Sequence, residues 1–150
     1  MERPAGLNER IVESLYCEGL VLSDDVRAAF DLGDAACADA EDLSRIALSC
    51  EALRTTTRMM HAVAWLLNHR AYHRGEISEL QLRRHGQLKG DFPHADPVRL
   101  RHITPEIRDL IASTERFYDR LVRLDTRWRD TPMAMPPVAR MRQSLSRLTH

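Results

Sequence analysis

The sequence predicts an all-α protein: an antiparallel three-helix bundle with a long central helix, a short extra helix and a C-terminal tail. Apolar residues recur at helical spacing in three long segments, and no stretch shows the sustained alternation of a β-strand. Glycines, prolines and capping residues separate these segments. A chain of 150 residues with 43% hydrophobic content fits one domain. We assign residues 1–130 to the bundle and residues 131–150 to a flexible amphipathic tail.

The first helix is predicted over residues 8–32. Asn8 is a favoured N-cap residue, and Gly33 is suited to the left-handed position that closes a helix. Gly19 lies on the apolar stripe of this helix, where it either permits close approach of another helix or simply weakens the helix. The other members of the stripe are Val12, Leu15, Leu22, Val26 and Ala29.

The central helix, predicted over residues 40–74, carries apolar residues on two faces. One face is a heptad row, hereafter the seam, which comprises Leu43, Ile46, Cys50, Leu53, Thr57, Met60, Ala64, Leu67 and Ala71. The roughly opposite face comprises Leu48, Ala52, Met59, Val63 and Leu66. The remaining polar strip comprises Glu51, Arg54, Arg58 and His69.

A helix that is apolar on two faces needs two partners. We expect the seam to face the rest of its own chain, which would place Leu53, Met60 and Leu67 in the core. The candidate interface of a homodimer is then the other face, with Met59, Val63 and Leu66. The alternative is that the first helix covers that face entirely.

The segment after the central helix predicts two further helices. Ser78 and Gln81 have the spacing of a capping box, which indicates a short helix near residues 79–86. A loop with two prolines follows, and Thr104 and Pro105 are typical of the start of a third long helix over residues 104–129. We expect this helix to pack antiparallel to the central one. Its expected core residues include Leu110, Phe117 and Leu121.

The C-terminal tail is a candidate docking element. Prolines interrupt the preceding helix, and an isolated helix of a dozen residues is marginal in water. The candidate partner-binding residues are the apolar Val138, Met141, Leu145 and Leu148, the basic Arg140 and Arg142, and Arg83 and Arg84 of the short helix. The alternative is that the tail's apolar stripe packs back on its own bundle.

The sequence contains no motif for catalysis or for a cofactor, so we expect neither an enzyme nor a bound cofactor. One alternative is nucleic-acid binding through the basic residues from Arg70 to Lys89, in a chain whose halves, divided after Ala52, carry formal charges of about −8 and +8. A second alternative is a metal site at His69 and His73, which stand one helical turn apart.

Nothing in the sequence indicates a membrane span or a signal peptide, since no run of eighteen apolar residues occurs. The three cysteines have unrelated spacings, and Cys50 lies on the seam. Free thiols in a reducing compartment fit this pattern better than disulfides. We therefore expect a cytoplasmic protein.

The run EALRTTTRMMHAVAWLLNHRAYHRGEIS, residues 51–78, resembles the long central helix of the RcdA family, alphaproteobacterial adaptors first described as regulators of CtrA degradation. The resemblance implies a three-helix bundle that dimerises and a flexible tail linked to function. It also implies a non-enzymatic adaptor that docks on the ClpXP protease after a response regulator, CpdR, has primed it, and then tethers cargo for degradation.

Overall fold

A computed structural model describes residues 7–36, 42–90, 92–133 and 137–149. These residues form six helices and no strand, which confirms the predicted all-α class. In chain order the helices are α1 (Glu9–Ala36), α2 (Asp42–His73), α3 (Glu79–His85), α4 (Pro97–Leu100), α5 (Pro105–Asp130) and α6 (Pro137–Leu148). The long helices α1, α2 and α5 form the bundle, and α4 lies in the segment that we predicted as a loop.

Local signals account for several helix ends. Asn8 caps α1, because its Oδ1 accepts a hydrogen bond from the Ile11 amide at 2.9 Å. Both hydrogen bonds of the predicted capping box at Ser78 and Gln81 are present at the start of α3. Gly75, with φ of 77°, closes α2 in the left-handed region. The predicted positions of these three ends are confirmed.

The predicted role of Gly33 as a closing residue is wrong, because α1 continues through it to Ala36. A Cβ atom on Gly33 would lie 2.8 Å from Cδ1 of Ile107, and a Cβ on Gly19 would lie 3.3 Å from Cζ of Phe117. Both glycines therefore let α1 approach α5 closely, which is the first of the two roles considered for Gly19.

The helices α2 and α5 run parallel, so the predicted antiparallel arrangement of this pair is wrong. Arg58 Nη1 donates to Thr114 Oγ1 at 3.0 Å, and Trp65 Nε1 donates to Asp125 Oδ1 at 3.0 Å. Both helices advance in the same direction between these two contacts. The contacts of Gly33 and Gly19 show instead that α1 runs antiparallel to α5.

The parallel arrangement is possible because the chain crosses back along α2 before α5 begins. We call the crossing segment, residues 86–103, the strap. Near its start the Leu88 amide donates to Asp125 at 3.3 Å, beside the C-terminal half of α2. Near its end Arg99 Nε lies 3.7 Å from Oε1 of Glu51, in the N-terminal half of α2. The strap thus returns the chain to the N-terminal half of α2 before α5 begins.

The apolar face of α2 that we expected to be buried is exposed, and the opposite apolar face is buried. Leu53, Met60 and Leu67 on the seam are 70%, 66% and 45% exposed, whereas Met59 and Leu66 are 3% and 0% exposed. The cause is that α1 packs on the face opposite the seam, where a Cβ on Gly19 would lie 3.5 Å from Cδ1 of Leu66 and a Cβ on Gly33 would lie 3.4 Å from Cδ1 of Leu48. The expected burial of the seam residues is therefore wrong.

In α5 the heptad pattern predicts burial correctly. Phe117 and Leu121 are 3% and 0% exposed, and Leu110 is half-buried at the edge of the core. The other large buried apolar side chains include Val12, Leu15, Val26, Phe30, Leu48, Trp65, Leu82, Leu88, Ile103, Ile107 and Ile111. Within the described ranges, no helix combines the length and the apolarity needed to cross a bilayer.

Candidate interaction surfaces

The seam of α2 is an apolar surface that the described part of the chain leaves open. Its large side chains Leu43, Ile46, Leu53, Met60 and Leu67 are all exposed. Two of the three candidate dimer residues, Met59 and Leu66, are buried inside the chain, and Val63 is half-buried. A contact with a second chain through Met59 and Leu66 would require the bundle to open, so this assignment is corrected.

The second apolar surface is the face of α6. Its side chains Val138, Met141, Leu145 and Leu148 are 62%, 68%, 63% and 82% exposed. Arg142 is exposed beside them, and the side chain of Arg140 lies outside the described residues. The structure thus brings the apolar candidates of the tail together on one helix and leaves that face accessible.

Of the two candidate arginines in α3, only Arg84 is exposed. Arg83 lies over the ring of Trp128 at 4.6 Å and donates to the carbonyl oxygens of Arg129 and Thr131 at 3.1 and 2.6 Å. These carbonyls belong to the end of α5, where helix hydrogen bonds cease. Arg83 therefore joins α3 to α5, and its guanidinium is not free for a partner.

A groove of about 810 Å³ lies between α1 and α5. Val21 and Phe117 contribute apolar surface to it, Glu18 lines it from α1, and Arg116 and Arg120 line it from α5. The two sides are linked, because Arg120 forms an ion pair with Glu18 at 2.5 Å. Acidic side chains of α1 and basic side chains of α5 therefore both line the groove.

A row of polar side chains on α2 is buried under the strap. Arg58 is 2% exposed and donates to Thr114 Oγ1 and to the carbonyl oxygen of Pro93 at 3.4 Å. Burial lowers the pKa of Arg58, while the carboxylates of Glu115 and Glu51 oppose that shift. Glu51 is fully buried, and neither of its carboxylate oxygens has a hydrogen-bond partner.

His69 is enclosed between two tryptophan rings. Its ring centroid lies 4.2 Å from that of Trp65 and 5.0 Å from that of Trp128, and neither ring nitrogen has a hydrogen-bond partner. Desolvation lowers the pKa of His69 to about 3, with smaller contributions from His73 and Arg129.

The described residues contain no group of three or more His, Cys, Asp or Glu side chains placed to hold a metal ion. The structure therefore gives no support to a metal site at His69 and His73.

Sequence reasoning missed the buried polar row, although a signal for it exists. Glu51, Thr55, Arg58, Ala62, Trp65 and His69 recur at alternating spacings of four and three residues. That spacing marks one continuous helix face whatever its polarity. All six side chains are buried. A face of this kind is expected where an irregular segment, whose backbone groups need partners, covers a helix.

The fold and these surfaces define an all-α helical bundle with two open apolar faces. The chain belongs to the family described as a protein family of unknown function, DUF1465, whose model matches residues 4–150. The match spans both the bundle and the tail. Neither a curated protein nor a solved structure matches the chain.

Proposed function

We propose that this protein is a non-enzymatic adaptor in regulated proteolysis that acts in the cytoplasm. In this role it tethers cargo proteins to a ClpXP protease that a CpdR-like response regulator has primed. The proposal rests on the resemblance of residues 51–78 to the RcdA family, and membership of DUF1465 is compatible with it.

The observation that carries the proposal is the open apolar face of α6. Leu145 and Met141 are 63% and 68% exposed at positions four residues apart, and the arginines of the tail have no acidic residue beside them within α6. A basic amphipathic helix of this kind suits a groove on an acidic protein partner. A tail that binds one protein while the bundle binds another is the minimum that an adaptor requires.

Tethering acts through effective concentration. A cargo held beside the unfoldase meets it at roughly millimolar local concentration, even when their direct affinity is poor. No side chain of the adaptor has to react. A homodimer, which the resemblance also implies, would present two tails and gain avidity in the same way.

The experiment is a reconstituted degradation assay with ClpXP, the response regulator and a tethered cargo. Leu145→Asp places a charge on the apolar face of α6, and Gln143→Asp places the same charge on the opposite face as a matched control. We expect Leu145→Asp to weaken partner binding about 30-fold, the loss typical of a hot-spot residue worth 2 kcal/mol, and to abolish delivery. Gln143→Asp should preserve both.

Both substituted side chains are exposed, so neither variant should change the melting temperature of the bundle. Removal of residues 131–150 should likewise leave the melting temperature intact while it abolishes delivery. Strong destabilisation after that deletion would show that the tail is structural. Co-purified nucleic acid or a stoichiometric metal ion would instead favour the two alternative functions.

A further inference from the structure

The groove between α1 and α5 is an open surface whose two walls carry opposite charges. Glu18 and Asp25 line it from α1, and both residues are exposed. Arg116 and Arg123 line it from α5 and are exposed as well. The members of each pair are seven residues apart, which places their charges on one side of the helix, about 10 Å from each other. Each wall thus presents two like charges at a distance of two helical turns.

Three of these four charges are available to a partner. Glu18 is neutralised across the groove by Arg120, at 2.5 Å. Within the described ranges, Asp25, Arg116 and Arg123 form no ion pair. Since α1 and α5 are antiparallel and Glu18 meets Arg120, Asp25 and Arg116 lie toward the same end of the groove.

The floor between the two walls is apolar. Val21 is 63% exposed, and Leu22 and Phe117 line the groove beside it. The acidic side chain that α5 contributes, Asp119, is held toward the strap, because its Oδ2 lies 3.7 Å from Nε2 of His94. An apolar floor between two charged rows is the kind of surface that an amphipathic helix covers.

We propose that the groove between α1 and α5 binds an amphipathic helix of a protein partner. One flank of the bound helix carries two acidic residues seven positions apart, which face Arg116 and Arg123. Its apolar stripe covers Val21, and its other flank carries basic residues that face Asp25. Because the two walls differ in charge, such a helix matches both of them in one direction only. The groove therefore selects its ligand by the arrangement of the charges and not by their sum.

A binding surface on the bundle supplies the second contact that an adaptor needs. The tail helix α6 offers its apolar face to one protein, and the groove offers its own surface to the cargo. This use of the groove rests on the proposed function, whereas the chemistry of its ligand rests on the side chains that line it.

A synthetic helical peptide tests the ligand chemistry. The probe is an alanine-based peptide of fourteen residues with a leucine stripe, two glutamates seven positions apart on one flank and two lysines seven positions apart on the other. In two isomers a glutamate and a lysine change places at one end, so that each flank carries both signs. Fluorescence anisotropy should show that the native protein binds the probe with a Kd below about 1 mM, and each isomer about tenfold more weakly. Equal affinity for all three peptides would overturn the proposal.

Reversal of the charges at one end of the groove should reverse this preference. In the double variant Asp25→Arg and Arg116→Glu, each wall carries both signs. The probe should bind this variant about tenfold more weakly than it binds the native protein, and one of the two isomers should bind it as the probe binds the native protein. The control exchanges exposed charges of the same two helices outside the groove, Asp31→Arg with Arg108→Glu, and should change neither affinity. Rescue by neither isomer would refute the proposed arrangement.

The apolar floor is tested at Val21. Val21→Asp should abolish saturable binding of the probe, because it places a charge beneath the leucine stripe. The matched control is Leu32→Asp, which changes a leucine that is 73% exposed on α1 and lies outside the groove. Both sites are exposed, so circular dichroism should show unchanged helix content for both variants. Equal binding by the two variants would contradict contact with the floor.

Two native thiols locate the bound probe. Cys17 is exposed and lines the groove, whereas Cys50 lies on the seam. In a background of Cys37→Ser and Cys50→Ser, probe at ten times its Kd should slow the alkylation of Cys17 about tenfold. In a background of Cys17→Ser and Cys37→Ser, the same probe should leave the alkylation of Cys50 unchanged. Protection of Cys50 without protection of Cys17 would place the probe on the seam and overturn the proposal.

Other occupants of the groove would give different results. If α6 of the same chain filled the groove, Leu145→Asp would release it and raise the affinity for the probe. If a second copy filled it, Arg116→Glu would halve the mass measured by light scattering. Either result would overturn the proposal. The probe measurements require no protease, so a failed degradation assay with intact probe binding would refute the adaptor role and leave the groove's ligand in place.

Discussion

At the scale of single residues, polar side chains beneath and beside the strap supply hydrogen-bond partners to its backbone. Apart from α4 the described residues of the strap have no regular structure, and buried backbone groups without partners are costly. Arg58 donates to the Pro93 carbonyl oxygen at 3.4 Å. Glu115 accepts from the Ala95 amide at 2.7 Å. These contacts explain why charged side chains lie beneath the strap. If a regular helix packed there instead, its backbone would need no such partners and apolar side chains would fill these positions.

His69 should make the stability of the fold depend on pH. Its pKa falls from 6.5 to about 3 on folding, so the unfolded chain takes up a proton at a pH where the folded protein does not. The contribution of neutral His69 is fully present above pH 6.5 and is lost as the pH falls toward 3. Between these limits each pH unit lowers the unfolding free energy by about 1.4 kcal/mol. Urea unfolding at pH 7.5 and pH 5 measures this loss.

The matched variants for this measurement are His69→Phe, which keeps an aromatic ring between the tryptophans, and His102→Gln at an exposed histidine. His69→Phe should flatten the pH dependence by about 2 kcal/mol between pH 7.5 and 5. His102→Gln should leave it unchanged. An unaltered pH dependence in His69→Phe would contradict the assignment.

Asp125 is the acceptor on which three parts of the fold converge. Its carboxylate receives hydrogen bonds from Trp65 Nε1, the Leu88 amide and Arg129 Nε. Asp125→Ala would leave two buried donors without an acceptor, at a cost of about 3 kcal/mol. Asp130→Ala, at an exposed position in the same helix, should change the unfolding free energy by less than about 0.5 kcal/mol. Equal effects of the two variants would argue against this role.

At the scale of the helices, caps and periodicity predicted most boundaries of α1, α2, α3 and α5, because these signals act within a few residues. The burial of α2 could not be predicted in the same way. Two apolar faces satisfy the same periodicity, and the choice between them depends on which element of the chain covers which face. The open face then became the candidate surface, in place of the face with Met59 and Leu66.

Neighbouring leucines of α2 provide a direct measurement of this exchange. Leu66 is 0% exposed and Leu67 is 45% exposed. Leu66→Ala should lower the unfolding free energy by about 2–5 kcal/mol, because it leaves a cavity in the core. Leu67→Ala, measured at a protein concentration low enough to keep the chain monomeric, should change it by less than about 0.5 kcal/mol. A larger loss of unfolding free energy for Leu67→Ala than for Leu66→Ala would show that the seam lies in the core.

At the scale of the whole molecule, the sequence predicted three long helices but not the direction of α5 relative to α2. Direction depends on the path of the connection, and the strap carries no period that would indicate a return along α2. The candidate surfaces were partly predictable. The four apolar residues of the tail lie together on one exposed face of α6, whereas Arg83 was misplaced because its stacking on Trp128 is a contact between distant segments.

The parallel arrangement of α2 and α5 has a consequence for how the chain folds. In an antiparallel pair such as α1 and α2, contacts can form one after another, starting next to the connection between the helices. Each new contact then closes only a short additional loop. The two hydrogen bonds between the parallel helices join residues that are 56 and 60 positions apart in the sequence, so neither of them is local. Large loop closures are slow and come late. We therefore expect the α1–α2 hairpin to form in the folding transition state and α5 to dock afterwards.

Stopped-flow kinetics can test this order with two buried leucines. Leu48 lies near the α1–α2 connection, 3.4 Å from the position of a Cβ on Gly33, and Leu121 lies in the middle of α5. Leu48→Ala should chiefly slow folding, and Leu121→Ala should chiefly accelerate unfolding. The opposite result would mean that α5 is in place before the hairpin closes.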